Sequence, residues 1–383
     1  MNYYSNKILL WILLIAASIT LGCSAKITGS TGKQIKELRY LGEYIIAHNT
    51  QFKNTTVGGL SGIDYDKEND LFYIISDDWS LTNPARFYTA KLFLNNKIDS
   101  VKFLDVHYVL QQDGSFYPNA KQNPYRTPDP EAIRYHPLSK TIAWNSEGER
   151  FIMGDSIVLQ DPAIRIINKE GQQLDSFPLP VQVHMYKEEK GLRRNGTLEG
   201  LSFGDGYKTL YASIEEPLYE DGHRAGRGDS TAVIRIIKYD VESKKPIGQY
   251  AYQVDAVVRD PVPANGFRIN GVSEILEISK NKLLIVERSY SLGRTDCNIR
   301  IYAADISGAT NIAGLTSLKN AKYNPVKKKL LFNMDSLGMY ISNIEGVSFG
   351  PQLPNGNETL IFVADNNFRA TEKTQFLLFE IIK

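Results

Sequence analysis

The sequence predicts an all-β fold, a β-propeller of four-stranded antiparallel blades, and three observations carry that prediction. One short motif recurs five times at nearly constant spacing. Each copy is followed by a β-rich run that ends in an acid, and no strong helical period follows the N-terminal apolar run.

In chain order, the first element stands outside the fold. Lys7 is followed by "ILLWILLIAASIT" and then by "LGCSAK", with Cys23 after a small residue. This is similar to a bacterial lipoprotein signal: a signal peptide over residues 1–22, lipidation of Cys23, a linker over 23–35 and a single propeller domain over 36–383. The apolar run is shorter than the ~20 residues a membrane span needs. The chain is thus expected to be exported and lipid-anchored in the cell envelope, at the outer membrane or periplasmic face, with secretion after ordinary cleavage as the alternative.

The next run, "LRYLGEYIIA" near Leu38, precedes the first repeat and reads as a strand that closes the ring, because the last repeat stops at its third strand, "TQFLLFEIIK". The repeats are "LSGIDY", "PEAIRY", "LEGLSF", "SEILEI" and "IEGVSF". Their second positions, Ser61, Glu131, Glu199, Glu274 and Glu345, are separated by 70, 68, 75 and 71 residues. The β-rich runs behind them end at Asp77, Glu147, Glu215, Glu287 and Asp365, which lie 16, 16, 16, 13 and 20 residues beyond these anchors. Two further strand-like runs follow in most copies, such as "AVIRIIKYDV" with "PIGQYAYQV" and "NIRIYAADI" with "KKKLLFNM". Five blades are favoured; six stay open, since Thr316 to Met334 is long enough to hold weak strands. The loop-like stretches "DGSFYPNAKQNPYRTPD" from Asp113 and "MYKEEKGLRRNGT" from Met185 are expected to cover the channel mouth.

Composition narrows the function classes. A chain of 383 residues with 42% hydrophobic residues can bury a large core, and a net charge of +1 without long single-sign blocks argues against nucleic acid and polybasic membrane binding. Membrane contact is expected through the lipid anchor only, and the protein as a monomer. Cys297 is the only cysteine besides Cys23, so the core, with no intramolecular disulfide, must hold the fold.

In an antiparallel hairpin, the first residue of one strand lies opposite the last residue of the next. With the motif strand innermost, anchors and terminal acids converge on one mouth of the channel. Like charges so close repel unless something offsets them, and a cation does so most simply. Oxygen ligands without histidine or cysteine suit Ca²⁺ or Mg²⁺. The candidate metal ligands are Asp77, Glu131, Glu199, Glu274, Glu345 and Asp365, with Asn195, Asn270, Asn366 and Asn367 available to complete coordination. The competing reading is a ring of salt bridges to Arg134, Arg150, Arg194, Arg268, Arg288 and Arg369. A guanidinium beside a metal can also grip a small anionic ester. This makes Arg150 and Arg194 candidate substrate-binding residues, and Glu147, Glu215 and Arg288 candidate catalytic ones.

Gly200-Leu201-Ser202-Phe203-Gly204 matches the G-x-S-x-G nucleophile elbow, and Gly346-Val347-Ser348-Phe349-Gly350 matches it again. The elbow requires a strand-to-helix turn, whereas "SFGDGYKTLY" runs into another strand. The repeat places Asp64, Arg134, Glu277 and Ser348 where Ser202 stands, so no serine is required there.

The ordered set "GLSGIDYD" with "ISDD", "DPEAIRY" with "SEGE", "LEGLSF" with "SIEEPL", and "IEGVSFG" with "FVADNNF" resembles the phytase-like, or esterase-like activity of phytase, family, from Gly58 to the C-terminus. The resemblance implies an extracytoplasmic propeller and hydrolysis of phosphate or other esters. It supports the motif glutamates as a functional cluster and assigns no base, nucleophile or substrate. Two functions follow: a calcium-assisted ester or phosphoester hydrolase, of which a lactonase is a variant, or a non-catalytic envelope propeller whose acid and arginine ring is structural.

Overall fold

The computed structural model describes residues 35–228 and 231–383; the expected signal peptide and Cys23 lie outside the described residues. Five four-stranded antiparallel sheets stand around a central channel. Blades 1 to 5 begin with the inner strands Leu60–Asp66, Pro130–His136, Leu198–Gly204, Arg268–Ser279 and Asn343–Gly350, each carrying one motif copy. Five blades are therefore the correct count. The second strands, Leu71–Ser76, Thr141–Ser146, Thr209–Ile214, Lys282–Ser291 and Thr359–Asp365, return to the upper mouth.

Ring closure follows the sequence expectation. Strand Glu37–Ile46 pairs antiparallel with Thr374–Ile382, so the N-terminal strand is the outermost strand of blade 5. The chain enters at the lower end of the ring, where Ile35 packs into the core between blades 4 and 5. The stretch before the outer strand of blade 4 is not a sixth blade. Ile312, Leu315 and Leu318 instead pack against Val233 and Ala251. The Ile312 and Val326 amides donate to the Gln249 and Ala251 carbonyls, covering the edge of blade 3.

The core is a set of five interfaces between neighbouring blades. In Thr359–Asp365, Leu360, Phe362 and Ala364 pack toward blade 4, whereas Ile361 and Val363 pack toward blade 1. This is the period-two consequence of a strand buried on both faces. The inner strands approach very closely. A Cβ on Gly200 would stand 2.7 Å from the Ile275 amide nitrogen of the next blade, so the motif glycine is a packing requirement.

Blade 2 carries an insertion that the repeat does not reveal: a hairpin of Glu149–Met153 and Ser156–Gln160 between its second and third strands. It rises beside the upper mouth, next to the loop of residues 113–129.

Candidate functional site

The strand registers fix which residues ring the channel, and blade 4 departs from the sequence alignment. In blades 1, 3 and 5 the inner strand bulges at the motif anchor: between Leu60 and Gly62, between Leu198 and Leu201, and between Ile344 and Gly346. In blade 4 the bulge falls between Val272 and Glu274, so Ser273 is the structural anchor and Glu274 takes the place of Gly200. The Ser273 hydroxyl donates to the Ile344 carbonyl of blade 5, just as the Ser61 hydroxyl donates to the Glu131 carbonyl of blade 2. The second strand follows suit: Gly271 pairs with Arg288 where Asn343 pairs with Asp365. A one-residue slip turns side chains to the other face.

The upper tier is therefore Asp77, Glu147, Glu215, Arg288 and Asp365, and the tier beneath it is Ser61, Glu131, Glu199, Ser273 and Glu345. Two sequence expectations are corrected accordingly. Glu274 points down the channel, and its carboxylate lies 2.5 Å from Arg134. Glu287 is buried between blades 3 and 4, accepting from Tyr252, the Asp255 amide, Asn270 and Lys328. Asn270 belongs to that buried network too. Asn366 accepts from the Gly59 and Phe368 amides, and Asn195 sits in a turn at positive φ.

With Asp129, eight acids gather at the mouth. Among the described residues, the only cation within ion-pair distance of these eight acids is Arg288, while Arg224, paired with Glu216, acts on Glu215 from further away. Arg288 donates to Glu215 at 2.6 Å and to Glu345 at 3.2 Å. Burial works against its charge, and Glu215, Glu345 and Glu199 together outweigh that and hold it charged. Asp77, Asp129, Glu131, Glu147, Glu199 and Asp365 have no ion-pair partner among the described residues. Oxygens of Asp77, Asp129 and Glu131 all lie within 4.8 Å of one another, and so do those of Glu131, Glu147 and Glu199.

The acids titrate accordingly. Burial, reinforced by Glu215, pushes the Glu147 carboxyl up to about 8, while the Thr197 amide holds it back. Burial also raises Glu345 to about 7 against the pull of Arg288. Burial and then neighbouring carboxylates raise Asp77, Asp129, Glu131, Glu199 and Asp365 well above the ordinary range. One buried oxygen on each of Asp77, Glu199, Glu345 and Asp365 lacks any hydrogen-bond partner. Such orphans are costly unless something electropositive sits among them.

The donor set fits a hard divalent cation. Oxygens bound to one Ca²⁺ at 2.3–2.6 Å stand at most about 5 Å apart, as these carboxylates do. Asp129, beside the motif in "DPEAIRY", belongs to this set and was not singled out by sequence reasoning. Its signal was position, since it precedes the anchor by two residues, where the other copies place Gly59, Thr197, Gly271 and Asn343.

The two expected substrate arginines are otherwise engaged. Arg150 donates to the carbonyls of Tyr186, Lys187 and Glu188 and lies over Tyr219, fastening the second mouth loop. Arg194 forms a fork with Glu149 at 2.9 and 3.2 Å and lies over Phe151.

Below the acids the channel is plugged. Arg134 donates to the carbonyls of Leu201, Ile63 and Ile275, which belong to blades 3, 1 and 4. Beyond it opens a lower funnel of about 620 Å³, lined in part by Asp64, Ser202, Ser348 and Ile35. Ser202 donates to its neighbour's carbonyl and accepts from the Glu277 amide, and strands flank it on both sides. It has no elbow geometry.

Fold and site together define a class: a five-bladed propeller, closed at its lower half by an arginine and open at an acid-lined upper mouth. The chain belongs to the Phytase-like family, described as esterase-like activity of phytase, whose model matches residues 55–368. No curated protein matches it in sequence. Among solved structures it is similar to an exo-β-1,3-galactanase from Phanerochaete chrysosporium, at 9% identity and a TM-score of 0.44, over 88% of this chain and 64% of that one. It is similar to an α-L-arabinofuranosidase from Lactobacillus brevis, at 9% identity and a TM-score of 0.43, over 84% and 91%. A gluconolactonase from Xanthomonas campestris matches at 9% identity and a TM-score of 0.34, over 91% and 98%. Likeness at this level carries no argument about chemistry.

Proposed function

We propose that the protein is a metal-assisted hydrolase of ester or phosphoester substrates, with calcium as the cation and the acidic mouth as the active site, acting in the cell envelope through a lipid anchor at Cys23. The observation that carries this reading is the set of unpartnered buried oxygens on Asp77, Glu199, Glu345 and Asp365 in a mouth where Arg288 is the one ion-pairing cation among the described residues. Asp77, Asp129, Glu131 and Glu199 would hold the ion. Once bound, the ion would polarise the ester oxygen and acidify a water. Glu147, ordinarily protonated at neutral pH without the ion, is the residue placed to accept a proton when the ion's charge lowers its pKa. Glu215 is committed to Arg288, so its role is to position that guanidinium beside Glu345. Arg288 is then the donor available to developing negative charge, since its buried Nε has no partner.

The deciding experiment is hydrolysis of a panel of phosphomonoesters, carboxyl esters and lactones with calcium, comparing wild type with Glu199→Gln. The expected result is calcium-dependent turnover of one class and a loss of about a hundredfold or more in the variant. Turnover that ignores both EDTA and the substitution removes this site from the mechanism. Absence of turnover together with tight calcium binding favours the non-catalytic binding propeller.

A further inference from the structure

Beside the acids lies a cleft of about 350 Å³ that the cluster itself does not use. Its walls are Trp79, Ala120, Pro124, Thr127, Pro128, Phe151 and Val158, drawn from the 113–129 loop, the inserted hairpin of blade 2 and the segment after Asp77. Asp129 lines the cleft and also belongs to the acid cluster, so the cleft stands directly beside the acids.

The chemistry of the walls selects an occupant. The other charged groups of the cleft are Glu149 and Arg194, which neutralise one another in their fork. An anionic group entering the cleft would meet no free cation there. The one hydroxyl in the wall is also engaged. The Thr127 hydroxyl donates to the Asn123 carbonyl, and the Thr127 carbonyl accepts from Gln160. What remains is apolar and partly aromatic, and Trp79 is 37% exposed at its edge.

We propose that this cleft is a substrate subsite for an uncharged apolar group, an aryl ring or short alkyl chain, carried by the ester whose scissile bond lies at Asp129 and the acid cluster. This rests on the hydrolase reading and deepens it by naming the substrate class: an ester with one apolar side. Phe151 and Trp79 set that preference, and the hairpin of blade 2 supplies Glu149, Phe151 and Val158 to the wall.

The test separates binding from turnover. The mature chain is titrated with 1-naphthol while Trp79 emission is followed; the other tryptophan of that chain, Trp144, is fully buried. The expected result is saturable quenching that disappears in Trp79→Phe and weakens on the order of tenfold in Phe151→Ala, with no response to glucose. Val158→Thr, a milder change in the same wall, should weaken it about threefold. In parallel, 1-naphthyl acetate should exceed methyl acetate in kcat/KM, and Phe151→Ala should shrink that ratio. Quenching by glucose but not by naphthol would overturn the proposal in favour of a sugar subsite, and no response to either would overturn it outright. If naphthol binds as expected while no ester is turned over, the subsite stands and the hydrolase reading fails.

Discussion

The two halves of the channel meet the same problem, charge buried among inner strands, and solve it differently. In the lower half one cation, Arg134, is matched to three carbonyls and to Glu274, with each of three blades contributing an acceptor. In the upper half eight carboxylates have one ion-pairing cation among the described residues, and four of them keep an unpartnered oxygen. The lower half matches its cation within the ring, although one Glu277 oxygen at the funnel stays unpartnered and burial raises Glu274 to about 8 despite Arg134; the upper half calls for a partner from outside. Satisfaction of buried polar groups thus separates what holds the ring together from what the ring holds ready.

The largest expected effect probes the lower half. Arg134→Met leaves Glu274 buried without its partner and three carbonyls without a donor, and should cost about 3–5 kcal/mol in chemical denaturation. Adding Glu274→Gln should recover part of that loss. If the single variant is as stable as wild type, the plug is not structural and the contrast fails.

The next effect probes the upper half through pH. A carboxyl whose pKa is raised by folding contributes most when protonated in both states, below its ordinary value near 4.5, and loses that contribution as pH climbs. With Glu345 at about 7 and Glu147 at about 8, the metal-free protein should lose on the order of a few kcal/mol between pH 5 and 8.5. Saturating calcium should flatten that slope and raise Tm most at the alkaline end. A scan by calorimetry with and without EDTA decides it, and identical slopes would remove the cation from the site.

A smaller effect has the opposite sign from the first. Glu131→Gln removes one of the crowded charges and should stabilise the metal-free protein by about 1–2 kcal/mol at pH 8 while abolishing the calcium-induced rise in Tm. Destabilisation by this variant would show that Glu131 is a structural acceptor. The smallest effect is Ser202→Ala, which loses the hydrogen bond to the Glu277 amide and should cost about 1 kcal/mol with turnover unchanged. A catalytic collapse would reinstate the nucleophile elbow that strand context excludes.

Much of this was legible in the sequence. The blade count, the inner strands and the closing strand at Leu38 follow from a repeat whose residue after the anchor is small in four of five copies, Gly62, Ala132, Gly200 and Gly346, where inner strands nearly touch. The acid mouth was legible from the same repeat. Blade 4 was not, since "VSEILEI" offers a glutamate one position from the anchor and "VER" offers another one position from the terminal residue. Residue type pointed to one register and the bulge chose the other. The unequal spacing of 13 residues was the trace of that slip; Ser273 and Arg288 stand 15 apart, close to the 16 of the first three blades. The inserted hairpin had a local signature too, Gly154-Asp155 between "FIM" and "SIVLQ", which a search for long repeats passes over.

Ile35 enters the ring at the lower funnel, on the side of Arg134 away from the acids. Ile35 and the acid cluster thus stand at opposite ends of the channel, with the Arg134 plug between them. A ligand arriving at the open mouth meets the carboxylates without having to pass that plug.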